Sequence, residues 1–139
     1  MKTRVLFLCT GNSCRSQMAE GWLRHLAGDR FAVASAGTRP GGLNPAAVRV
    51  MGERGVDISG HHSKSVDQFG GQAFDCVVTV CDNAKEACPV FPGGGRRLHW
   101  SFDDPAAAPG TEEQRLAVFR RVRDQIEQRI REFLREAES

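Results

Sequence analysis

The 139-residue chain contains no tyrosine. No phenol is therefore available to bind a substrate or move a proton. Lysine is scarce: of 19 basic residues only Lys2, Lys64 and Lys85 are lysines, and arginine supplies the rest. Acids nearly balance them, and a formal net charge of +2 is too weak a field for a nucleic-acid or membrane-surface binder. No apolar run is long enough to span a bilayer and no secretory leader opens the chain, so a cytoplasmic protein is expected. Cysteine pairs at C-x2-C spacing and histidine pairs at H-x3-H spacing are missing. No flavin or nicotinamide motif occurs either, and no bound metal or cofactor is expected. Five cysteines are an odd number, which suits reactive thiols better than a disulfide framework in a reducing compartment. Repeats, low-complexity tracts and interdomain linkers are absent. With 40% hydrophobic and 26% charged residues, residues 1–139 read as a single globular domain.

What the chain does have is concentrated near its start. An apolar run, Val5-Leu6-Phe7-Leu8, reads as a strand buried on both faces. It runs into Cys9-Thr10-Gly11-Asn12-Ser13-Cys14-Arg15-Ser16, and from there into a helical pattern in which Met18, Trp22 and Leu26 share one stripe. A cysteine thus ends a strand, a short polar loop follows, and an arginine opens a helix. The N–H groups of such a loop and the positive helix end converge on an anion. Arg15 can add a two-pronged contact to its oxygens, and the same field favours the thiolate of Cys9. The expected ligand is a tetrahedral oxyanion held by Thr10, Gly11, Asn12, Ser13, Cys14, Arg15 and Ser16 against a nucleophilic sulfur.

Further on, Phe31–Ala36 predicts a second strand. Asn44-Pro45 predicts an N-cap and first turn, with Val48 and Met51 on the buried side of that helix. Asp75–Val80 is a third strand, Asp82–Ala87 a short helix, and Arg97–Trp100 a fourth strand, while Asp103–Gly110 reads as loop. The last helix opens on a capping box, Thr111 with Gln114, and carries the stripe Phe119, Val122, Ile126, Ile130 and Phe133. Its arginines read as a solvated outer face, and His61-His62 as a solvated loop. Alternating strands and helices predict an α/β fold: a four-stranded parallel sheet flanked by helices, in strand order 2-1-3-4 with flavodoxin-like winding. Ligands bind such sheets beyond the C-terminal ends of the strands where the winding reverses. That places Cys9, Cys81 and Asp104 at one sheet edge, with Cys88 seven residues past Cys81. Cys76, inside a strand, reads as a buried small hydrophobe, and His99 as a residue packed beneath the site.

The spacing of Cys9 and Arg15 resembles the phosphate loop of protein tyrosine phosphatases. Its N-terminal position resembles the low-molecular-weight branch. The string CTGNSCRSQMAEGW, the pair Cys81 and Cys88, HWSFDDPA and the Gly-Thr-Glu-Glu before the last helix look most like thioredoxin-coupled arsenate reductases of that fold. Phosphatases of the branch have tyrosines after the Asp-Pro pair, whereas Ala106-Ala107-Ala108 stands here. The resemblance implies arsenate as substrate, with phosphate and sulfate as mimics, thioredoxin as external reductant, and catalytic roles for Cys9, Arg15, Cys81, Cys88 and Asp104. Cys9 would attack arsenic, Asp104 would protonate the departing oxygen, and Ser16 would steady the thiolate. Cys81 and then Cys88 would carry the disulfide outward. Residual phosphatase activity is a further expectation, as is a monomer. Some relatives bind potassium through positions matching Asn12, Glu20 and Ser35 plus an acidic residue. That acidic position falls on Lys64 here, whose ammonium is expected to pair with Glu20 and make activity independent of potassium. The rival readings are a phosphatase acting on phosphotyrosine or phosphoarginine and a non-enzymatic phosphoryl carrier. Neither needs Cys81 and Cys88.

Overall fold

Strand β1 (Thr3–Cys9) is buried continuously from Val5 to Cys9. A strand apolar on both faces belongs in a sheet interior with cover on each side. In the computed structural model, which describes residues 2–81 and 94–138, it lies second in a four-stranded sheet ordered β2-β1-β3-β4. Strands β2 (Phe31–Gly37), β3 (Phe74–Thr79) and β4 (Gly94–His99) all pair in parallel. This is the predicted order. Because the chain leaves β1 first toward β2 and later toward β3, the loops after β1 and β3 open a crevice at the C-terminal sheet edge.

Side-chain alternation divides the core. Val5, Phe7, Val78 and Val80 join the larger cluster, with helices α1 (Arg15–Ala27), α2 (Pro45–Gly52) and α3 (Glu112–Glu138). Leu6, Leu8, Ala36 and Val77 join a smaller one, covered by Val66 and Phe69 of the 3-10 turn Val66–Phe69. The expected stripe of α3, Phe119 to Phe133, is buried throughout. Its capping box forms as predicted: Thr111 N donates to Gln114 Oε1 at 2.9 Å and Gln114 N to Thr111 Oγ1 at 3.2 Å. Asn44 Oδ1 accepts from Ala46 N at 2.8 Å and caps α2, with Pro45 at its first position.

Three local expectations need correction. Strand β4 begins at Gly94 rather than Arg97, since Gly94 registers against Phe74; an edge strand tolerates the glycine. Within the expected loop 103–110, Pro105–Ala107 forms a 3-10 turn, because Asp104 Oδ1 caps Ala106 N at 3.1 Å. The arginine face of α3 is not wholly solvated. Arg123 is 7% exposed and reaches across to α2, donating to Val50 O at 2.9 Å and Glu53 Oε1 at 3.0 Å. The helix expected at Asp82–Ala87 and the thiol of Cys88 lie outside the described residues.

Candidate active site

The loop between β1 and α1 is shaped from outside. Thr10 O accepts from Arg39 N at 2.9 Å, Gly11 O from Gly41 N at 2.9 Å, Ser13 O from Asn44 N at 3.1 Å and Cys14 O from Met18 N at 2.9 Å. Asn12 O accepts from Ser63 Oγ at 2.6 Å and Gln17 Nε2 at 3.1 Å. Five successive carbonyls are thus bonded to flanking segments. In a trans peptide the N–H lies opposite its C=O, so the N–H groups of residues 11 to 15 face the other way, into the loop. That is an anion nest at a helix N-terminus. Gly37, closing β2, packs beneath it: a Cβ there would stand 2.5 Å from Thr10 O and 2.9 Å from Asn12 N. Only glycine lets the loop settle that close.

Cys9 Sγ faces two donors. Asn12 N lies 3.2 Å away and Ser16 Oγ 2.8 Å away. The direction of the Ser16 contact follows from its neighbours. Lys64 N, a backbone donor, fixes Asn12 Oδ1 as acceptor at 2.9 Å, so Asn12 Nδ2 is the end that contacts Ser16 Oγ at 2.8 Å and Ser35 Oγ at 2.9 Å. Ser16 Oγ therefore accepts from Asn12, and its own proton is directed at sulfur. Ser35 Oγ donates to Glu20 Oε1 at 2.5 Å. The network beneath Cys9 thus leaves the Asn12 N–H and the Ser16 hydroxyl proton both aimed at its sulfur.

Arg15 is 4% exposed and braced by the loop after β4, with Nη1 donating to Phe102 O at 3.1 Å and Nη2 lying 3.8 Å from Asp104 Oδ2. Cys9, Arg15 and Asp104, 95 residues apart at the extremes, are thereby brought to one edge. Cys14 sits in the same loop, but burial pushes its thiol up to about 12, with nearby Asp104 adding to the effect. Ser13 Oγ, 3.9 Å from the Cys14 sulfur, works against that rise without cancelling it. Cys76 is buried in β3 as expected, and burial raises it too.

Cys81 lies two residues beyond β3, fully buried, next to Val80, whose N–H bonds Leu8 O at 2.9 Å. It therefore stands one strand away from Cys9. Cys9, Cys14 and Cys76 are free thiols, whereas Cys81 is disulfide-bonded. Lys64 approaches Glu20 as expected, Nζ to Oε1 at 3.8 Å, with its side chain only 14% exposed. Arg24 Nη2 holds the other oxygen, Oε2, at 2.8 Å. A carboxylate already flanked by two cations is a poor potassium ligand, and the residues present do not fit that ion. Among the described residues no cluster of three metal-ligating side chains occurs.

Two expectations fail. His99 is exposed on the edge strand, its Nδ1 2.6 Å from Thr79 Oγ1, rather than packed under the loop. His61 is not solvated: Nδ1 lies 3.0 Å from Gln17 Oε1 and Nε2 3.1 Å from Arg24 Nη1. Burial lowers its pKa, with Glu20 opposing and Arg24 and Lys64 reinforcing. Gln17, His61 and Ser63 carry no local sequence signal. Their roles come from contacts across more than forty residues, or, for Gln17, from facing inward at the first turn of α1.

A model of the low molecular weight phosphotyrosine protein phosphatase family matches residues 4–139. An arsenate reductase of Halalkalibacterium halodurans is 54% identical over 132 residues, 95% of each chain. Among solved structures, an arsenate reductase in its phosphate-binding state aligns with a TM-score of 0.83 and 34% identity over 98% of both chains. The thioredoxin-dependent arsenate reductase of Corynebacterium glutamicum aligns with a TM-score of 0.73 and 30% identity, over 97% of this chain and 61% of that one. The chain belongs to the low molecular weight phosphotyrosine protein phosphatase family, and within it stands with the arsenate reductases.

Proposed function

We propose that this protein is a cytoplasmic, monomeric arsenate reductase in which Cys9, Cys81 and Cys88 form a relay emptied by thioredoxin. The observation that carries the proposal is the division of the cysteines. Cys9 is a free thiol inside an anion nest, while Cys81, at the neighbouring strand end, is already disulfide-bonded. A phosphatase or a phosphoryl carrier needs the first feature and has no use for the second. The arsenate reductases among its relatives and the phosphate-bound state of one of them support both the reaction and the ligand. The thioredoxin-dependent relative supports the reductant.

The residues then act in turn. Arsenate enters the nest, with Thr10 to Ser16 binding its oxygens and Arg15 forking onto two of them. The Cys9 thiolate, held by Asn12 N–H and the Ser16 hydroxyl, attacks arsenic and forms a sulfur–arsenic bond. Asp104, standing beside Arg15, gives its proton to the departing oxygen, which leaves as water. The Cys81 thiolate attacks Cys9 sulfur. The sulfur–arsenic bond breaks, its electron pair stays on arsenic, and arsenite leaves. A Cys9–Cys81 disulfide remains, so two thiol sulfurs are oxidised as arsenic falls from the +5 to the +3 state. Cys88 then attacks Cys81, frees Cys9 and yields a Cys81–Cys88 disulfide, which thioredoxin reduces by thiol–disulfide exchange. None of these steps draws on a bound metal or cofactor.

The test is arsenate-dependent consumption of NADPH with thioredoxin and thioredoxin reductase supplied. The protein should turn over, and Cys9→Ser and Cys88→Ser should not. Turnover of p-nitrophenyl phosphate without any arsenate-dependent NADPH loss would overturn the proposal in favour of a phosphatase.

A further inference from the structure

Gln17 is fully buried in the first turn of α1. Its Nε2 lies 3.1 Å from Asn12 O, 3.0 Å from Asn12 Oδ1 and 3.0 Å from His62 O. All three partners are carbonyl oxygens, so this end of the amide must be the NH2. Oε1 then faces His61 Nδ1 at 3.0 Å, and that ring nitrogen must carry a proton. The other ring nitrogen keeps its lone pair for Arg24 Nη1 at 3.1 Å. Arg24 is itself anchored, donating to Val33 O at 2.8 Å and pairing with Glu20 Oε2 at 2.8 Å. One assignment of amide and tautomer satisfies every group in the chain from Arg24 to Asn12.

The residue at the end of that chain is unusual. Asn12, with φ 46°, is the one non-glycine residue of positive φ among the described residues. An L-residue holds that conformation at a cost, and its surroundings must over-determine it. The reward is direct, since this conformation turns the Asn12 N–H onto Cys9 Sγ at 3.2 Å. Gln17 grips Asn12 at its backbone carbonyl and its side-chain carbonyl at once, fixing both the peptide plane and the side chain that orients Ser16. We propose that Gln17, oriented by the Nδ1–H of His61, is a positioning residue of the reduction: it locks Asn12 in the left-handed form that aims its N–H at the Cys9 sulfur. The inference rests on Cys9 being the nucleophile.

The test compares four variants of the full chain: Gln17→Leu, His61→Leu, His61→Asn and, as a control on the premise, Cys9→Ser. The readouts are the alkylation rate of Cys9 by iodoacetamide at pH 7 without oxyanion, arsenate-dependent kcat and KM, and the thermal midpoint. Gln17→Leu keeps volume but loses every donor. It should slow alkylation at least fivefold and lower kcat by a similar factor. His61→Leu should show part of that loss. His61→Asn should recover most of it, because the asparagine NH2 stands where the ring Nδ1–H stands, though it forfeits Arg24. Wild-type alkylation and kcat in Gln17→Leu would overturn the proposal. So would a His61→Asn variant as impaired as His61→Leu, or a fall in thermal midpoint with alkylation unchanged. Should Gln17→Leu fail to fold, the His61 pair decides the matter alone. An active Cys9→Ser variant would defeat the underlying reaction scheme instead, which keeps the two failures distinct.

Discussion

Two polar networks tie this molecule together, and they differ in kind. Under the loop, Asn12, Ser16, Gln17 and Ser35 are fully buried, and each hydrogen-bond direction is dictated by the next group. Between α2 and α3, Arg54, Arg120, Arg123 and Arg131 meet Glu53, Asp124 and Glu127, mostly at the surface. In the first, no group can reverse its role without orphaning a buried neighbour, which is costly in a low-dielectric interior. In the second, water and other partners can replace the contacts of the exposed members, Arg54, Arg120, Arg131 and Asp124, while Arg123 and Glu127 are buried. The lesson is that similar residue types serve chemistry where they are buried and directional, and serve only cohesion where they are wet. The same contrast appears within one loop. Cys9 and Cys14 are equally hidden at 3% exposure, yet Asn12 N and Ser16 Oγ lie within 3.2 Å of the Cys9 sulfur, while Ser13 Oγ lies 3.9 Å from the Cys14 sulfur and burial outweighs that contact.

The sharpest break would come from the buried side. Arg15→Lys should cost about 100-fold in kcat/KM for arsenate, since an ammonium cannot reproduce the fork on two oxygens. Steady-state kinetics check this, and near-wild-type values would remove Arg15 from the site. Next, Cys81→Ser and Cys88→Ser should stop multiple-turnover reduction but leave hydrolysis of p-nitrophenyl phosphate intact, because only the redox relay uses those sulfurs. Loss of both activities in a folded Cys88→Ser protein would make Cys88 structural.

The cation question follows. With Lys64 and Arg24 flanking Glu20, exchanging sodium for potassium at constant ionic strength should change kcat/KM by less than about twofold. A several-fold rise would show that the ammonium does not fill the cation's place. Cys14 gives a pH test. Its folded pKa of about 12 lies above the ordinary thiol value of about 8.5. The unfolded chain therefore releases that proton first as pH rises. The contribution is fully present below pH ~8.5 and is lost progressively toward pH 12. Urea midpoints for wild type and Cys14→Ala should converge on the alkaline side. The smallest effect belongs to the surface lattice. Arg120→Gln, which removes the cation paired with Glu53 at 2.9 Å on a partly exposed face, should lower stability by about 1 kcal/mol or less and leave kcat unchanged.

Much of this was legible in the sequence, for identifiable reasons. The buried run Val5–Leu8, the cap at Asn44-Pro45 and the box at Thr111 and Gln114 are local patterns read by local physics, and all three form. The order 2-1-3-4 follows from handedness and winding, and it brings Arg15 to Asp104. The underside of the loop was not legible. His61 belongs to a polar stretch with no periodicity, and only the tertiary fold reveals that it faces Gln17 and Arg24. Arg123 failed likewise: its place in a charged helix looks solvated until α2 closes over it.

The stoichiometry expected of the relay is one disulfide formed, with two electrons given up, for each arsenate reduced. It is tested most directly by a single turnover of the fully reduced protein with arsenate and no thioredoxin, followed by thiol titration and peptide mass mapping. The five cysteines should fall to three free thiols with one Cys81–Cys88 disulfide per arsenite formed, and the Cys88→Ser variant should instead accumulate a Cys9–Cys81 disulfide. Arsenite produced with all five thiols intact, or a disulfide that excludes Cys81, would contradict it.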